Sequence, residues 1–259
     1  MGIGSLALKP AKLAMKGLVR TLDAVARGLT ALRDGLEESK LRLLIRINRT
    51  RRPSGQQVLD VYWDAGFAEA SEHWGETSAW AELEYFLVNC HGRVLDVACG
   101  SGRTMQLMQK FTPCEFHGCD ISGALIDLAI KKRGMDAGRF TVCDATKMPY
   151  ENDRFDYAYS VGSLEHFTEQ GIVQVLGECH RTARFATFHH VPVSKRERDE
   201  GWIVTDQGYY LNSTQWWLGK CKEVYGTAYA LRSSWRDPLS VGIWLVCIKE
   251  QAGREGKAG

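Results

Sequence analysis

The sequence predicts an α/β protein: a doubly wound, mostly parallel sheet of seven strands that follows a long N-terminal helix. Three observations support this prediction. From residue 58 onward, short apolar segments alternate with helical segments, which is typical of a parallel sheet covered on both faces. A glycine-rich turn directly follows the first of these segments, at residues 98–102. Residues 1–52 carry a heptad pattern of apolar residues, which indicates a helical arm in front of the sheet.

The N-terminal arm, residues 1–52, is predicted to be a basic amphipathic helix. Its apolar residues recur at alternating spacings of three and four over about five heptads, as in a coiled coil, with Ser39 as the polar interruption. They are Leu8, Ala11, Met15, Leu18, Leu22, Val25, Leu29, Leu32, Leu36, Leu43 and Ile47. The arm holds 12 of the 33 Lys and Arg but 4 of the 31 Asp and Glu, so it carries +8 and the remainder carries −6.

Three roles are open for this arm. It can self-associate as a coiled coil and make the protein a homo-oligomer. It can lie on an anionic membrane surface, at the inner face of the membrane. It can also fold back on its own domain. Residues 53–57 are predicted to be a linker, residues 58–250 the main domain, and residues 251–259 a disordered tail.

The composition excludes several other classes of protein. Hydrophobic residues make up 44% of the chain, and no uncharged apolar stretch reaches the roughly 18 residues that predict a membrane-spanning helix. The N-terminus lacks the apolar core of a secretory signal. Eight cysteines without a C-x-x-C pair indicate reduced thiols in a cytoplasmic protein. No set of carboxylates accompanies the adjacent histidines, so we expect no metal site.

The seven predicted strands are continuous apolar runs bounded by turn residues. In chain order they are RVLDVACG, EFHGCDIS, RFTVCDA, RFDYAYSVG, ARFATFHHV, GTAYALRSS and VGIWLVCIKE. An aromatic-rich insertion at residues 193–225 separates the fifth strand from the sixth. Because such an insertion follows a strand end, we expect it to cover the ligand site and to shape the pocket beside it.

The ends of the first three strands predict a nucleotide site. Gly100 and Gly102 follow the first strand and precede a helix, where glycines let the backbone approach a ligand closely. Asp120 ends the second strand, 24 residues after Asp96, and an acid there can accept both hydroxyls of a ribose. Asp144 ends the third strand. Ligands of doubly wound sheets bind at these carboxyl ends, where the strand order reverses.

Four segments together, VLDVACGSG, GCDIS, CDATKMPYENDRFD and SVGSLEHF, resemble the class I S-adenosylmethionine-dependent methyltransferases. The similarity is greatest to the subgroup that modifies quinones, lipids and small molecules, and it covers residues 58–250. It implies a Rossmann-like fold and S-adenosyl-L-methionine as the cofactor. The family usually has glycine where this chain has Ala98, a departure that should narrow the turn without closing it.

The resemblance implies ten cofactor-binding residues. Those expected at the methionine end are Asp96, Ala98, Gly100 and Gly102. Those expected at the ribose and adenine are Asp120, Ile121, Asp144 and Ala145. Those expected on the sulfonium side, after the fourth strand, are Ser160 and Leu164.

Three histidines are the candidates for a catalytic base. An alcohol acceptor must lose a proton in the transition state, and histidine is the side chain that most often accepts it. His166 lies in LEHF after the fourth strand, and His189 and His190 lie in the fifth. His166 also suits a structural role at the start of a helix, and the adjacent pair also suits packing at the sheet edge.

The predicted activity is methyl transfer to oxygen of a small-molecule, glycan or lipid-linked acceptor. A nucleic-acid acceptor is not expected, because the main domain is acidic and no [DN]-P-P-[YF] motif follows the fourth strand. Aromatic residues of the insertion can form a wall for a sugar ring, a quinone or a lipid head. The alternative is a non-catalytic cofactor-binding module, which the arm tethers or dimerises.

Overall fold

The computed structural model describes residues 8–49, 78–204 and 207–250. The predicted linker at 53–57 and the predicted tail at 251–259 lie outside the described residues, as does the start of the main domain. The described part contains one seven-stranded sheet, one two-stranded hairpin and six α-helices.

The main sheet confirms the prediction of seven mostly parallel strands. Its order is β3-β2-β1-β4-β5-β9-β8, in which β9 runs antiparallel to both of its neighbours. The strands are β1 (Arg93–Val97), β2 (Glu115–Asp120), β3 (Phe140–Val142), β4 (Phe155–Val161), β5 (Ala183–Ser194), β8 (Thr227–Arg236) and β9 (Ser240–Ile248). The strand order reverses between β1 and β4, so the predicted ligand edge lies at the carboxyl ends of these two strands.

Of the six described helices, five pack on the two faces of the sheet, and α1 (Leu8–Arg49) does not. The five are α2 (Ala79–Leu87), α3 (Arg103–Met108), α4 (Gly123–Arg133), α5 (Glu169–Thr182) and α6 (Thr214–Lys222). One apolar core joins the sheet to α5 and α6, and a second joins the opposite face to α2 and α3. Continuous burial explains why β1 and β5 have no polar–apolar alternation in sequence.

Polar side chains fix where three helices begin. Ser122 accepts a hydrogen bond from Leu125 N at the start of α4, and Thr168 accepts one from Gly171 N at the start of α5. Ser213 caps α6 in the same way. These caps satisfy amides that have no partner within their own helix. They also fix the loops that precede each helix at the ligand edge.

The insertion contains a β-hairpin that the sequence did not predict. Strands β6 (Trp202–Val204) and β7 (Gly208–Tyr210) pair antiparallel outside the main sheet. We call the described residues of this hairpin, 202–204 and 207–210, the lid. The ring of Tyr210 lies 5.1 Å from that of Trp202 and 5.3 Å from that of Trp216, so aromatic contacts join the lid to α6.

Helix α1 contacts the rest of the protein through its C-terminal turns. Leu41 and Ile45 pack against Ile203 and Leu211, and Arg196 Nη2 lies 2.8 Å from Glu38 Oε1. Folding back on the domain, one of the three roles left open, therefore occurs at this end of the helix. The prediction of a long N-terminal helix is confirmed over residues 8–49.

The heptad stripe of α1 remains exposed. Leu41 and Ile45 are each two residues from Leu43 of the stripe. Two residues correspond to roughly 200° around the helix, so the face of α1 that contacts the lid is opposite the stripe. Leu22, Leu29 and Leu36 are 59–64% exposed. None of the helices in the described parts of the chain is long and apolar enough to cross a membrane. All eight cysteines are free thiols.

Candidate functional site

In the turn after β1, every second residue from Ala98 to Gly102 has a positive φ angle. Ala98, Gly100 and Gly102 have φ angles of +58°, +53° and +71°. A Cβ atom on Gly102 would lie 3.1 Å from Ala129 Cβ, whereas one on Gly100 would meet no atom within 4 Å. Gly102 is therefore required for packing against α4. The open space over Gly100 lets a ligand reach the backbone.

Ala98 occupies a backbone conformation that disfavours a side chain. Left-handed geometry costs a non-glycine residue about 1–2 kcal/mol, and part of this is regained because alanine restricts the unfolded chain. We expect Ala98→Gly to raise the unfolding free energy by up to about 1 kcal/mol. Ala98→Val should lower it by at least as much, since a β-branched side chain tolerates positive φ poorly. Urea unfolding of both variants checks the opposite signs, and equal losses would contradict the assignment of strain.

Asp120 links the glycine turn to the end of β2. Its Oδ2 accepts a hydrogen bond from Gly100 N at 2.8 Å, and its Oδ1 accepts one from Ser122 N at 2.8 Å. Burial raises the pKa of this carboxyl, and the amides of Ser122, Gly100 and Ile121 oppose the rise. An ionised carboxylate has about four lone-pair positions. The bonds from Gly100 N and Ser122 N take one position on each oxygen, so each oxygen can also accept from a ribose hydroxyl.

The residues after β2 and β3 form an accessible edge beside Asp120. The Ile121 side chain is 37% exposed, which suits an apolar contact with a nucleobase. Asp144 is exposed, and Thr146 donates both of its hydrogen bonds to Asp144 Oδ1. Ala145 is buried. Asp144 Oδ2 accepts no bond from Thr146 and remains suited to an exocyclic amine.

Asp96 binds a neighbouring strand instead of the turn. Tyr159 of β4 donates its hydroxyl to Asp96 Oδ2 at 2.8 Å. Asp96 is 3% exposed, and burial raises the pKa of its carboxyl well above the ordinary range. This pair ties β1 to β4 directly beneath the glycine turn. Asp96 therefore supports the floor of the site.

His189 belongs to a buried chain of hydrogen bonds. Its Nδ1 lies 2.9 Å from Ser160 Oγ and its Nε2 lies 3.0 Å from Thr187 Oγ1. The Thr187 hydroxyl in turn lies 2.9 Å from the Tyr225 hydroxyl. His189 is 0% exposed, and burial lowers its pKa to about 4. This geometry positions β4 against β5, and it also places Ser160 within the core.

His190 points to the opposite face of the sheet. Consecutive side chains of a strand alternate in direction, so the two histidines cannot line one pocket. The His190 ring lies 5.2 Å from Trp244 and 5.9 Å from Trp235, and its Nε2 lies 3.1 Å from Ser233 Oγ. It is 0% exposed, and burial lowers its pKa to about 4. Because both rings are enclosed, we assign neither a contact with the acceptor.

His166 has the geometry of a base. It lies in a short 3-10 turn, Leu164–His166, that follows β4, and the buried Leu164 anchors that turn. His166 Nδ1 lies 2.9 Å from the carbonyl oxygen of Gly208 in the lid. A carbonyl only accepts hydrogen bonds, so Nδ1 carries the proton and Nε2 carries the lone pair. Burial lowers the pKa of His166, and the Gly208 carbonyl opposes this.

Two polar residues beside His166 were not among the predicted site residues. Glu165 is 4% exposed, its Oε2 has no hydrogen-bond partner, and burial raises its pKa to about 8. Gln207 in the lid has a buried Nε2 that also lacks a partner. Glu165 stands between Leu164 and His166, and nothing in the sequence indicates that this acid is buried. Nowhere in the described ranges do three or more metal-binding side chains cluster.

A comparison with known protein families identifies the domain. Residues 94–185, which include the glycine turn, both strand-end acids and His166, match the family model described as a methyltransferase domain. This part of the chain is similar to methyltransferase domains.

Curated relatives of this methyltransferase domain have diverse activities. Methyltransferase GfsG of Streptomyces halstedii is 27% identical over 128 residues, which cover 48% of this chain and 45% of GfsG. The probable tRNA methyltransferase 9B of Homo sapiens is 28% identical over 41% of this chain and 22% of its own length. The chain thus spans less than half of these relatives. Some of these relatives are named as tRNA methyltransferases, so the prediction that the acceptor is not a nucleic acid is not supported.

Solved structures share the fold of the domain. The 1,6-didemethyltoxoflavin-N1-methyltransferase of Burkholderia thailandensis, solved with S-adenosylhomocysteine, superposes with a TM-score of 0.58 at 16% identity. The alignment covers 71% of this chain and 83% of that enzyme. The PH0226 protein of Pyrococcus horikoshii gives 0.54 at 20% identity, over 74% of this chain and 94% of that one.

Proposed function

We propose that this protein transfers a methyl group from S-adenosyl-L-methionine to an oxygen of a small-molecule, glycan or lipid-linked acceptor. The observation that carries the proposal is the position of Asp120 at the end of β2, beside the β1 turn, where amides of the glycine turn and of the start of α4 fix it. The acids and glycines that cofactor binding requires thus occur together.

The shape of this edge fits a nucleoside. Space is open over Gly100, so a ligand can pass close to the turn backbone. The Asp120 carboxylate lies beside that space, and Ile121 offers an exposed apolar surface next to it. Asp144 lies at the end of the neighbouring strand. In this assignment Asp120 holds the ribose, and Ile121, Asp144 and Ala145 meet the adenine.

The chemistry divides between the cofactor and the protein. S-adenosylmethionine supplies a methyl group on a positive sulfur, which keeps the electron pair of the broken carbon–sulfur bond. The acceptor oxygen must lose its proton as it forms the new bond. His166 Nε2 accepts that proton, because its lone pair is free while Nδ1 donates to Gly208. The Gly208 carbonyl of the lid holds the His166 ring in one orientation.

Labelled-methyl transfer tests this proposal directly. The purified protein receives S-adenosylmethionine with a tritiated methyl group and a cell extract, which is then separated into aqueous small molecules, organic-phase lipids and RNA. We expect label in the aqueous or the organic fraction. Label in RNA would contradict the proposed acceptor class and show that the acceptor is RNA. Binding of S-adenosylhomocysteine without label in any fraction would favour the non-catalytic module.

We propose further that the exposed stripe of α1 pairs with a second copy of the chain. The stripe of a and d positions is narrow, which is typical of a helix–helix contact. Lys16, Arg20 and Arg27 lie roughly 160–200° from Leu18 around the helix, opposite the stripe. Arg33 and Lys40 lie roughly 40–60° from Leu18, beside the stripe, where the e positions of a coiled coil also carry charged residues. The 42-residue helix offers about 60 Å of such a seam.

Polar substitutions in the stripe should make the protein monomeric. Leu22→Gln with Leu29→Gln removes two exposed seam contacts, so we expect the sedimentation mass to fall to that of one chain. The matched control, Arg20→Gln with Arg27→Gln, changes the opposite face and should keep the wild-type mass. Flotation with phosphatidylserine vesicles is measured in parallel. A monomeric wild type whose vesicle binding needs Leu22 and Leu29 would instead establish the lipid surface.

A further inference from the structure

Two buried polar atoms near the lid have no hydrogen-bond partner among the residues that the structure describes. They are Glu165 Oε2 and Gln207 Nε2. Buried polar groups in folded proteins almost always form hydrogen bonds, and an unpaired one destabilises the protein. One is a carboxyl oxygen and the other an amide donor. Their presence in one region therefore points to a ligand that satisfies both.

The two residues approach each other through the lid. Glu165 precedes His166, whose Nδ1 binds the carbonyl of Gly208, and Gln207 precedes Gly208. Tyr209 follows, and the charge of Glu165 contributes to raising the pKa of the Tyr209 hydroxyl. Glu165 and Gln207 are thus each next in sequence to one partner of the same hydrogen bond. His166, the proposed base, is part of that bond.

Within the described part of the chain, Glu165 forms no ion pair. Its pKa is raised by burial and lowered only by its own backbone amide, with no contribution from a Lys or Arg. A carboxyl kept neutral in this way donates or accepts a hydrogen bond. Gln207 Nε2 only donates. Among single functional groups, a hydroxyl satisfies both, because it accepts from Nε2 while it exchanges a hydrogen bond with Oε2.

We propose that Glu165 and Gln207 form the acceptor subsite and bind the hydroxyl group that is methylated, so that the substrate is an alcohol or a phenol. The inference rests on the proposed function and adds the chemical class of the acceptor. An ammonium group would leave the Gln207 donor without a partner. A carboxylate would accept from both groups, but it has no proton for His166 to take. His166 then takes the proton of the hydroxyl that these two side chains orient.

Apolar variants of the two residues test this subsite. Glu165→Leu and Gln207→Leu are compared with Glu151→Gln and Gln174→Leu, which change exposed residues. Calorimetry measures S-adenosylhomocysteine affinity, and the tritium assay measures transfer to the fraction that wild type labels. We expect unchanged cofactor affinity in all variants and at least a tenfold loss of transfer in the first two. Glu165→Leu should also raise Tm by roughly 2–4 °C, because it removes an unpaired buried acid.

The labelled product identifies the acceptor group. A methyl ether resists mild alkali and passes a cation exchanger, whereas a methyl ester releases labelled methanol and a methylated amine is retained. We expect the ether. Transfer that both variants keep, a lower Tm for Glu165→Leu, or an ester or amine product would overturn the hydroxyl subsite and leave methyl transfer intact. A wild type that binds S-adenosylhomocysteine but labels no fraction would overturn the methyl-transfer proposal, and the subsite with it.

Discussion

Asp120→Ala is expected to weaken S-adenosylhomocysteine binding at least 100-fold. The carboxylate orders the turn through Gly100 N and the start of α4 through Ser122 N. Its remaining lone pairs are assigned to two ribose hydroxyls. Hydrogen bonds to a charged group contribute about 1.5–3 kcal/mol each, and about 1.4 kcal/mol is a factor of ten in affinity. Two lost bonds therefore account for the expected change, which isothermal calorimetry measures.

Two further variants separate binding from folding. Asp120→Asn keeps the shape of the side chain but replaces one acceptor by a donor, so we expect most of the loss to remain. Asp127→Asn changes an exposed acid of α4 that pairs with Lys131, and it should bind like wild type. Thermal unfolding shows whether each variant is folded. A folded Asp120→Ala protein with wild-type affinity would remove the ribose assignment, and with it the argument for cofactor binding.

The sequence predicts the sheet and the cofactor edge because both depend on local signals. Strands buried on two faces are continuous apolar runs, so all seven could be recognised. An acid that ends such a run must lie at the carboxyl edge in a parallel sheet. Asp120 is therefore found where the sequence places it. The positive φ of Ala98 also follows from the position, since the turn imposes it on whichever residue is present.

The acceptor side depends on contacts between distant segments, which the sequence does not reveal. The three-residue strands of the lid are too short for a periodic signal. Burial of His189 depends on Tyr225, and burial of His190 depends on Trp235 and Trp244. The unpaired state of Glu165 arises only when the lid folds over it. For the same reason, the contact between α1 and the lid could not be separated from the other two roles of the arm.

The buried histidines should make the protein sensitive to mild acid. Burial lowers the pKa of both His189 and His190 from 6.5 to about 4. Below pH 6.5 the unfolded chain binds protons that the folded protein excludes, so the unfolding free energy falls as pH falls from 6.5 to about 4. At about 1.4 kcal/mol per pKa unit, each histidine accounts for up to about 3 kcal/mol of that loss.

Glu165 acts in the opposite direction over part of this range. Its pKa rises from 4.5 to about 8 in the folded protein, so the stability it provides is present below pH 4.5 and is lost as pH rises toward 8. Between pH 6.5 and 4.5 the two histidines oppose one carboxyl. The net slope therefore follows the histidines in this interval, and stability should be highest near pH 6.5, above which only the loss from Glu165 continues.

A single substitution assigns the acid loss to His189. Gln in its place can still bond Ser160 and Thr187 but does not titrate, so the fall in unfolding free energy from pH 7 to pH 4.5 should shrink by about 2–3 kcal/mol. The exposed His91 provides the matched control, His91→Gln, which should fall as wild type does. Urea unfolding at the two pH values gives both differences. If His189→Gln lost stability in acid as steeply as wild type, the ring would have to be hydrated and protonated in the native state. The buried chain from Ser160 to Tyr225 would then not exist in solution, and a role for His189 nearer the acceptor would have to be restored.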